Sequence, residues 1–367
     1  GGWHLIGQTD INLFNPINSP PALLQPGDRV RFHETDSVNM APDYRAAITP
    51  ECVTPKNITI LQPGLMTTVQ DLGRSGFRSS GVPLSGVADR VSAMLANSIL
   101  GNPENAALLE YTLLGPTLQF QTDTFIALTG ATDDSLATLR PLRVRRGDTL
   151  HLGHAAKGCR GYLAVAGGIC VPPILNSYST YAPAKLGGYG GRSLQTGDQL
   201  AIGNPLVTSF STTWSLNPDV VPLPANPCTL RMLPEGHLSK AHQAMISTPM
   251  HVTAQSDRMG IRFSEAVPPL SATPLSRAVL PGTIQLPPDG RPILLLCDAQ
   301  TIGGYPVLGH IIAADLPRAA QLRPGDTVCF SETTITEAHR LLRHQHNMLA
   351  TLQQGINHTL DLAEKAE

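Results

Sequence analysis

One short stretch, residues 255–262, is dense in groups that could bind a ligand. It contains two arginines, Arg258 and Arg262, together with Asp257 and Gly260. A guanidinium can make paired hydrogen bonds to a carboxylate or a phosphate, and a neighbouring glycine lets the backbone approach closely. Loops of this composition often carry function. The stretch therefore predicts a ligand-binding loop.

A second group of polar residues follows an apolar strand predicted at 293–296. The residues after the strand are polar or lack a side chain: Asp298, Gln300, Thr301, Gly303, Gly304 and Tyr305. A β scaffold can present a pocket at such a position. The alternative is a structural turn in which Asp298 and Thr301 satisfy backbone groups. The pattern alone leaves both interpretations open.

A third candidate lies at residues 70–77, which include Arg74, and is followed by Ser85 and Asp89. We expect Ser85 to cap the helix that follows, with Asp89 in its first turn. The start of that helix could also face an anion. Arginine outnumbers lysine by 21 to 5, which is consistent with anion recognition or with codon usage.

Several function classes are excluded. The chain lacks a GxxxxGK[ST] loop, an HExxH motif and a GxSxG motif. A net charge of −2 gives no electrostatic basis for nucleic-acid binding. The six cysteines are widely spaced and form no CxxC motif, which argues against a metal site. The sequence also shows no signal peptide and no membrane-length apolar run, and these features together favour a cytoplasmic protein.

The elements that must position these residues are mainly strands. Gly and Pro together make up 33 + 32 of 367 residues, which favours many turns and short strands. Apolar spacing predicts a helix over 88–100, and Thr334 with Glu337 predicts a capping box before a C-terminal helix. Residues 22–32 predict a turn followed by an alternating strand.

A weak internal repeat links the two ends of the chain. Residues 1–32 and 303–330 share paired glycines before an aromatic residue and a Pro-Gly-Asp turn before a strand. Chance reuse of a common turn is the alternative to duplicated domains. The number of matched positions in the same order favours duplication.

Five motifs in this order make the sequence resemble a known family. They lie at residues 67–74, 96–103, 164–169, 256–260 and 298–306. The chain closely resembles the KipA family, also called allophanate hydrolase subunit 2 or the biotin-dependent carboxyltransferase-like family, from about Ile58 to the C-terminal helix. Its best-defined bacterial member is the C subunit of 5-oxoprolinase. Residues 1–35 resemble the C-terminal end of the partner family, KipI or the 5-oxoprolinase B subunit.

The resemblance implies a mainly β fold of cyclophilin-like β-barrel domains with few helices and a C-terminal helix. We therefore expect five parts. They are the end of a KipI-like domain at 1–35, a linker at 36–56, a first barrel region at 57–220, a second barrel region at 221–333 and a helix with tail at 334–367. The chain would then be a fragment of a fused protein, cut inside its KipI-like part.

The resemblance also implies an activity. Family members join an A subunit and a B subunit to open the lactam of 5-oxoproline with ATP and water, giving glutamate. We expect Asp298 and Arg258 to be catalytic, with Asp298 acting as a general base or orienting water. The residues expected to bind substrate or nucleotide are Arg262, Asp257, Gln285, Gln300, Thr301, Gly303, Gly304, Tyr305 and Arg74. ATP with Mg is the expected cofactor, and the isolated fragment should be inactive.

One position departs from the family. Many relatives have Ser-Glu-Gly where this chain has Ser276-Arg277-Ala278, so a catalytic acid there is not expected. Two alternatives remain. The chain could be the carboxyltransferase part of a biotin-dependent urea carboxylase, or half of a KipI/KipA-type regulator of a sensor kinase. Both the leading hypothesis and the first alternative imply a small-molecule substrate, with no membrane and no nucleic acid.

Overall fold

The computed structural model describes residues 8–35, 56–236, 239–270 and 275–365. The expected linker at 36–56 lies outside these residues except for Lys56, which begins the first strand. Within residues 8–35 a single bridge joins Phe14 to Ala22. The strand predicted within 22–32 is wrong for the described chain, because Val30 and Phe32 are exposed and pair with no described strand.

Two antiparallel sheets form the first half of the fold. Its strands are β1 (Lys56–Gln62), β2 (Thr67–Gln70), β3 (Leu108–Thr112), β4 (Thr117–Phe120), β5 (Thr124–Gly130), β6 (Leu142–Val144), β7 (Thr149–His151), β8 (Arg160–Val165), β9 (Ile169–Cys170) and β10 (Gln199–Ile202). One sheet has the order β7-β4-β1-β10-β9 and the other β2-β3-β8-β5-β6. Ile58 and Phe120 of the first sheet meet Leu109 and Leu163 of the second in one apolar core.

Strand β8 is buried along its whole length because it has a neighbour on each face. Leu163 faces the core between the sheets, whereas Tyr162 and Ala164 face helix α1 (Arg90–Ile99). A strand covered on both faces has no solvent side for a charged residue. Arg160, at the start of β8, is therefore buried and needs partners inside the protein.

A seven-stranded sheet curls into a half-barrel in the second half. Its strands are β11 (Cys228–Pro234), β12 (Met250–His251), β13 (Gly260–Arg262), β15 (Thr283–Gln285), β16 (Ile293–Leu295), β18 (Val307–Ile311) and β19 (Thr327–Glu332). The order is β12-β19-β11-β18-β15-β16-β13, and β11 and β19 run parallel. Strands β14 (Arg277–Ala278) and β17 (Ile302–Gly303) form a separate two-stranded ribbon.

Three further α-helices lie in the described chain: α2 (Lys240–Ser247), α3 (Leu316–Ala320) and α4 (Ile335–Lys365). The apolar stripe of α4 packs back onto the first half, where Leu349 joins Val91 and Leu95 of α1. No described helix is both long enough and apolar enough to cross a membrane. The prediction of a mainly β fold with few helices and a C-terminal helix is confirmed. The domain boundaries stay predictions.

Candidate functional site

Arg258 lies at the centre of a buried polar cluster. Its side chain is 6% exposed, and each of its three guanidinium nitrogens donates within the protein. Nε donates to Asp298 Oδ2 over 2.8 Å, Nη1 to Glu110 Oε1, and Nη2 to the Gly86 carbonyl oxygen over 2.6 Å. These contacts tie the half-barrel to the first half of the fold.

Asp298 follows β16, as the sequence predicts, and its carboxylate is held from two directions. Besides Arg258, the Ser85 hydroxyl donates to Oδ1 over 2.8 Å. The backbones of the two residues are also bonded, since Asp298 N donates to the Arg258 carbonyl oxygen over 3.0 Å. The carboxylate is therefore fixed in position and orientation.

Sequence reasoning missed Glu110, which lies on β3 and is 2% exposed. One of its oxygens accepts from the Ala88 backbone and from the Tyr162 hydroxyl, over 2.8 and 2.9 Å. The other contacts Arg258 and lies 3.8 Å from Arg160 Nε. An acid within the otherwise apolar run 106–111 was the available signal, because a buried charge requires a partner.

Burial and charge act in opposite directions on the ionisation of this cluster. Burial alone would lower the pKa of Arg258, but Asp298 and Glu110 outweigh it and hold the pKa well above its ordinary value. Burial raises the pKa of the Cys297 thiol to about 12. It also raises the pKa of Asp89, beside the cluster, to about 6. The buried arginine is thus permanently charged, and the thiol is neutral.

Arg74 differs from Arg258 because part of its guanidinium has no partner. The residue is fully buried, and Nη2 donates to the Ser179 carbonyl oxygen. In the described chain Nε and Nη1 have no hydrogen-bond acceptor. Burial lowers its pKa, which Asp71 and Asp298 partly offset. Buried donors without acceptors are rare in native proteins, so these two nitrogens are candidate donors to a water or an anion.

A further unpaired donor belongs to a pair of hydrogen-bonded glutamines, Gln285 and Gln300. Gln300 Nε2 donates to Gln285 Oε1 over 3.1 Å, while Gln285 Nε2 has no partner in the described chain. Gly303 makes this arrangement possible, because a Cβ there would lie 2.2 Å from Gln285 Nε2. Gly304 has no such neighbour, since its nearest contact would be Ser276 Oγ at 3.5 Å.

The remaining predicted residues lie around this cluster. The Asp257 carboxylate accepts from the backbone of Met259 and Gly260, over 2.8 and 3.1 Å, and so stabilises a turn. Arg262 is exposed and forms no ion pair within the described residues. Thr301 is buried and its carbonyl oxygen accepts from Val279 N. Tyr305 is 40% exposed at the surface. Their roles stay predictions.

The predicted helix cap at Ser85 is wrong. Asp89 caps α1 instead, with its carboxylate accepting from Ser92 N over 3.0 Å, so the helix begins at Arg90. Ser85 adopts a left-handed φ of 53° four residues earlier, which turns its hydroxyl towards Asp298. Arg277, at the position that departs from the family, pairs with Glu235 over 2.7 Å.

The chain belongs to the family described as the carboxyltransferase domain, subdomain A and B, whose model matches residues 80–332. It is 37% identical to the C subunit of 5-oxoprolinase from Haemophilus influenzae over 314 residues, which cover 82% of this chain and 99% of the relative. A 32-residue segment, 9% of this chain, is 59% identical to the B subunit of 5-oxoprolinase from Escherichia coli O157:H7 and covers 15% of it.

Solved structures agree with this assignment. The protein TTHA0988 superposes with a TM-score of 0.78 at 32% identity, covering 90% of this chain and 67% of the other. The urea carboxylase of Kluyveromyces lactis superposes with a TM-score of 0.72 at 31% identity, covering 83% of this chain and 30% of the enzyme. The family resemblance drawn from the motifs is confirmed.

Proposed function

We propose that this chain is the C subunit, joined to part of the B subunit, of an ATP-dependent 5-oxoprolinase. The observation that carries the proposal is that one chain matches two different subunits of the same enzyme, one over most of its length and one over a short segment. The reaction opens the 5-oxoproline lactam with water and ATP and yields glutamate. The enzyme is an amide hydrolase acting in the cytoplasm.

The buried cluster supports this chemistry. Arg74 offers two unpaired guanidinium nitrogens, which fit a substrate carboxylate or a phosphate oxygen. Asp298 acts as general base or orients water, and Arg258 positions it, since the Arg258 nitrogens are occupied by protein acceptors. The unpaired amide of Gln285 supplies a further donor for a substrate carbonyl.

The unpaired donors of Arg74 are of the kind that bind a phosphate oxygen of ATP. In the part of the chain that the structure describes, no three His, Cys, Asp or Glu side chains are grouped as a metal site requires. We therefore assign Mg to the nucleotide phosphates and to residues of the partner subunits, as is usual for this ion. When bound, ATP supplies the phosphoryl group that activates the lactam carbonyl.

Partners are expected at the N-terminal segment. Residues 8–35 expose large apolar side chains: Ile11, Leu13, Ile17, Leu23, Leu24, Val30 and Phe32. Such a set suits a surface covered by the rest of the B subunit, whether fused or separate, with the A subunit completing the enzyme. The chain alone should therefore be inactive.

A second candidate is carboxyl transfer in a biotin-dependent urea carboxylase. The superposition on the Kluyveromyces lactis urea carboxylase favours it. It requires a biotin carrier and a biotin carboxylase as partners. The match of a 32-residue segment to the B subunit of 5-oxoprolinase favours the first proposal.

Phosphate release from ATP, with and without 5-oxoproline, tests the proposal together with the glutamate formed. The chain is used with a complete B subunit and its cognate A subunit. We expect substrate-dependent phosphate release matched by glutamate. A complex shown to assemble that turns over no 5-oxoproline would overturn the proposal. Carboxylation of urea by carboxybiotin in the same preparation would then establish the second candidate, and inactivity in both assays would favour a regulatory role.

A further inference from the structure

A cavity of about 410 Å³ borders Leu296 and Cys297, the residues that precede Asp298. It is enclosed by α1, α3, α4 and residues 84–88. Ser85 and Cys297 line it, and they also connect it to the buried cluster, because Ser85 N donates to the Cys297 carbonyl oxygen over 2.9 Å. Cavities of this size hold small molecules in many proteins.

The walls are mostly apolar, and among the described lining residues a single arginine supplies the charge. The apolar surface comes from side chains of three helices and β16 with its flank: Val91, Met94, Leu296, Leu316, Leu342 and Leu349. Arg90 and His346 lie at the exposed edge. None of the described residues that line the cavity is an aspartate or a glutamate. Arg90 forms no ion pair in the described chain, and Nη1 donates to the Leu72 carbonyl oxygen over 2.8 Å.

We propose that this cavity binds an anionic amphiphile of the medium-chain carboxylate class. The alkyl chain would lie between α1 and α4, where burial of each methylene is favourable by about 0.8 kcal/mol. The carboxylate would meet Arg90 at the edge, with His346 beside it. A cationic ligand would find no carboxylate among the described lining residues.

The cavity adjoins the site proposed for the substrate, because its wall residue Ser85 also donates to Asp298. The unpaired nitrogens of Arg74 are not among its lining. The proposal therefore stands on the cavity and its charges, whatever reaction the chain supports. A ligand here would rest on the same segment that positions Asp298.

Octanoate titrated into the full chain by isothermal calorimetry tests the site. We expect saturable binding of one molecule. Ala88→Trp should lower the affinity by about tenfold or more, because the indole would occupy the cavity. Ala350→Trp, on the exposed side of α4, is the matched control and should bind as the unaltered chain does. Equal affinities in the two variants, or no saturable binding to the unaltered chain, would overturn the proposal.

A charge variant tests the head-group assignment. Arg90→Met should weaken octanoate by about fivefold, the size of a partly exposed ion pair, and leave the affinity for 1-octanol unchanged. A parallel loss for both probes would overturn the assignment of the carboxylate to Arg90. If circular dichroism shows that Ala88→Trp is unfolded, Ala313→Trp at the opposite wall replaces it, with the same two outcomes.

Discussion

Ser85 and Asp298 are 213 positions apart in the chain, yet the hydroxyl of one donates to the carboxylate of the other over 2.8 Å. The same hydroxyl lies 2.9 Å from the Thr180 carbonyl oxygen. A hydroxyl carries one hydrogen, so the two buried acceptors share it. The hydroxyl proton of Ser85 therefore joins three segments that are distant in the chain, at the edge of the cluster around Arg258.

Loss of the central guanidinium should destabilise the fold strongly. Arg258→Met leaves Glu110 and Asp298 buried without their cation, and we expect the free energy of unfolding to fall by about 3–5 kcal/mol. Arg262→Met, four residues later and exposed, should change it by less than about 0.5 kcal/mol. Urea unfolding followed by circular dichroism measures both. Similar losses in the two variants would contradict the central role of Arg258.

We expect Arg74 to strengthen ligand binding while lowering the free energy of unfolding. Arg74→Met removes a buried cation with two unpaired nitrogens, so unfolding in urea should require as much free energy as before or more. In the assembled enzyme the same variant should raise KM for 5-oxoproline or ATP by about tenfold or more, since a charged hydrogen bond is lost. A purely structural arginine would show the reverse: lower stability and unchanged KM.

Gly303 and Gly304 are adjacent, so alanine at one gives a test variant and alanine at the other gives its control. Gly303→Ala places a methyl group where Gln285 Nε2 now lies, so the Gln285–Gln300 pair must move. We expect turnover by the assembled enzyme to fall by about tenfold or more, as misplaced groups cost that much. Gly304→Ala has room for its methyl group and should retain activity.

A double variant tests whether the clash with Gln285 is the reason. The clash should also lower the thermal midpoint of unfolding of Gly303→Ala. Truncation of the glutamine in Gly303→Ala/Gln285→Ala removes the clash and should recover that midpoint. A double variant no more stable than Gly303→Ala would show that the glycine is required for another reason.

Asp89 should make stability depend on pH. Its pKa is raised to about 6 by burial from an ordinary 3.8, so between these values the folded state binds more protons than the unfolded state. The free energy of unfolding therefore falls as pH rises from about 4 to about 6, by up to about 3 kcal/mol from this group.

Asp89→Asn should flatten that slope, because the amide does not titrate and still caps α1. Urea unfolding at a series of pH values provides the measurement, with Asp134→Asn, an exposed carboxylate, as the control. An unchanged slope in Asp89→Asn would show that another group titrates.

Local patterns predicted the elements but not their contacts. The apolar run at 293–296 forms β16 over its first three residues. The helix predicted at 88–100 forms α1 over 90–99, and it starts two residues later because Asp89 rather than Ser85 caps it. The capping interaction of Thr334 is present, since Glu337 N donates to its hydroxyl over 3.2 Å. Such signals act within a few residues of each other.

The cluster around Arg258 could not be predicted in the same way. Glu110 is 148 positions from Arg258, and the pairing depends on how two sheets and a half-barrel pack. The sequence motifs predicted functional residues near 258 and 298, and their roles stay predictions. They did not indicate that Arg258 donates its hydrogen bonds to protein carboxylates, or that Arg74 keeps donors free.

The parallel pairing of β11 with β19 has a consequence for how the chain acquires its structure. Thr229 lies opposite Cys329, one hundred positions later, and β12, α2 and the ribbon are made between them. During synthesis one edge of β11 stays unpaired, and β12 lacks its partner, until β19 has emerged from the ribosome. Non-local pairings of this kind slow folding and expose unpaired edges to aggregation. Expression at low temperature, or with chaperones, should raise the yield of folded chain.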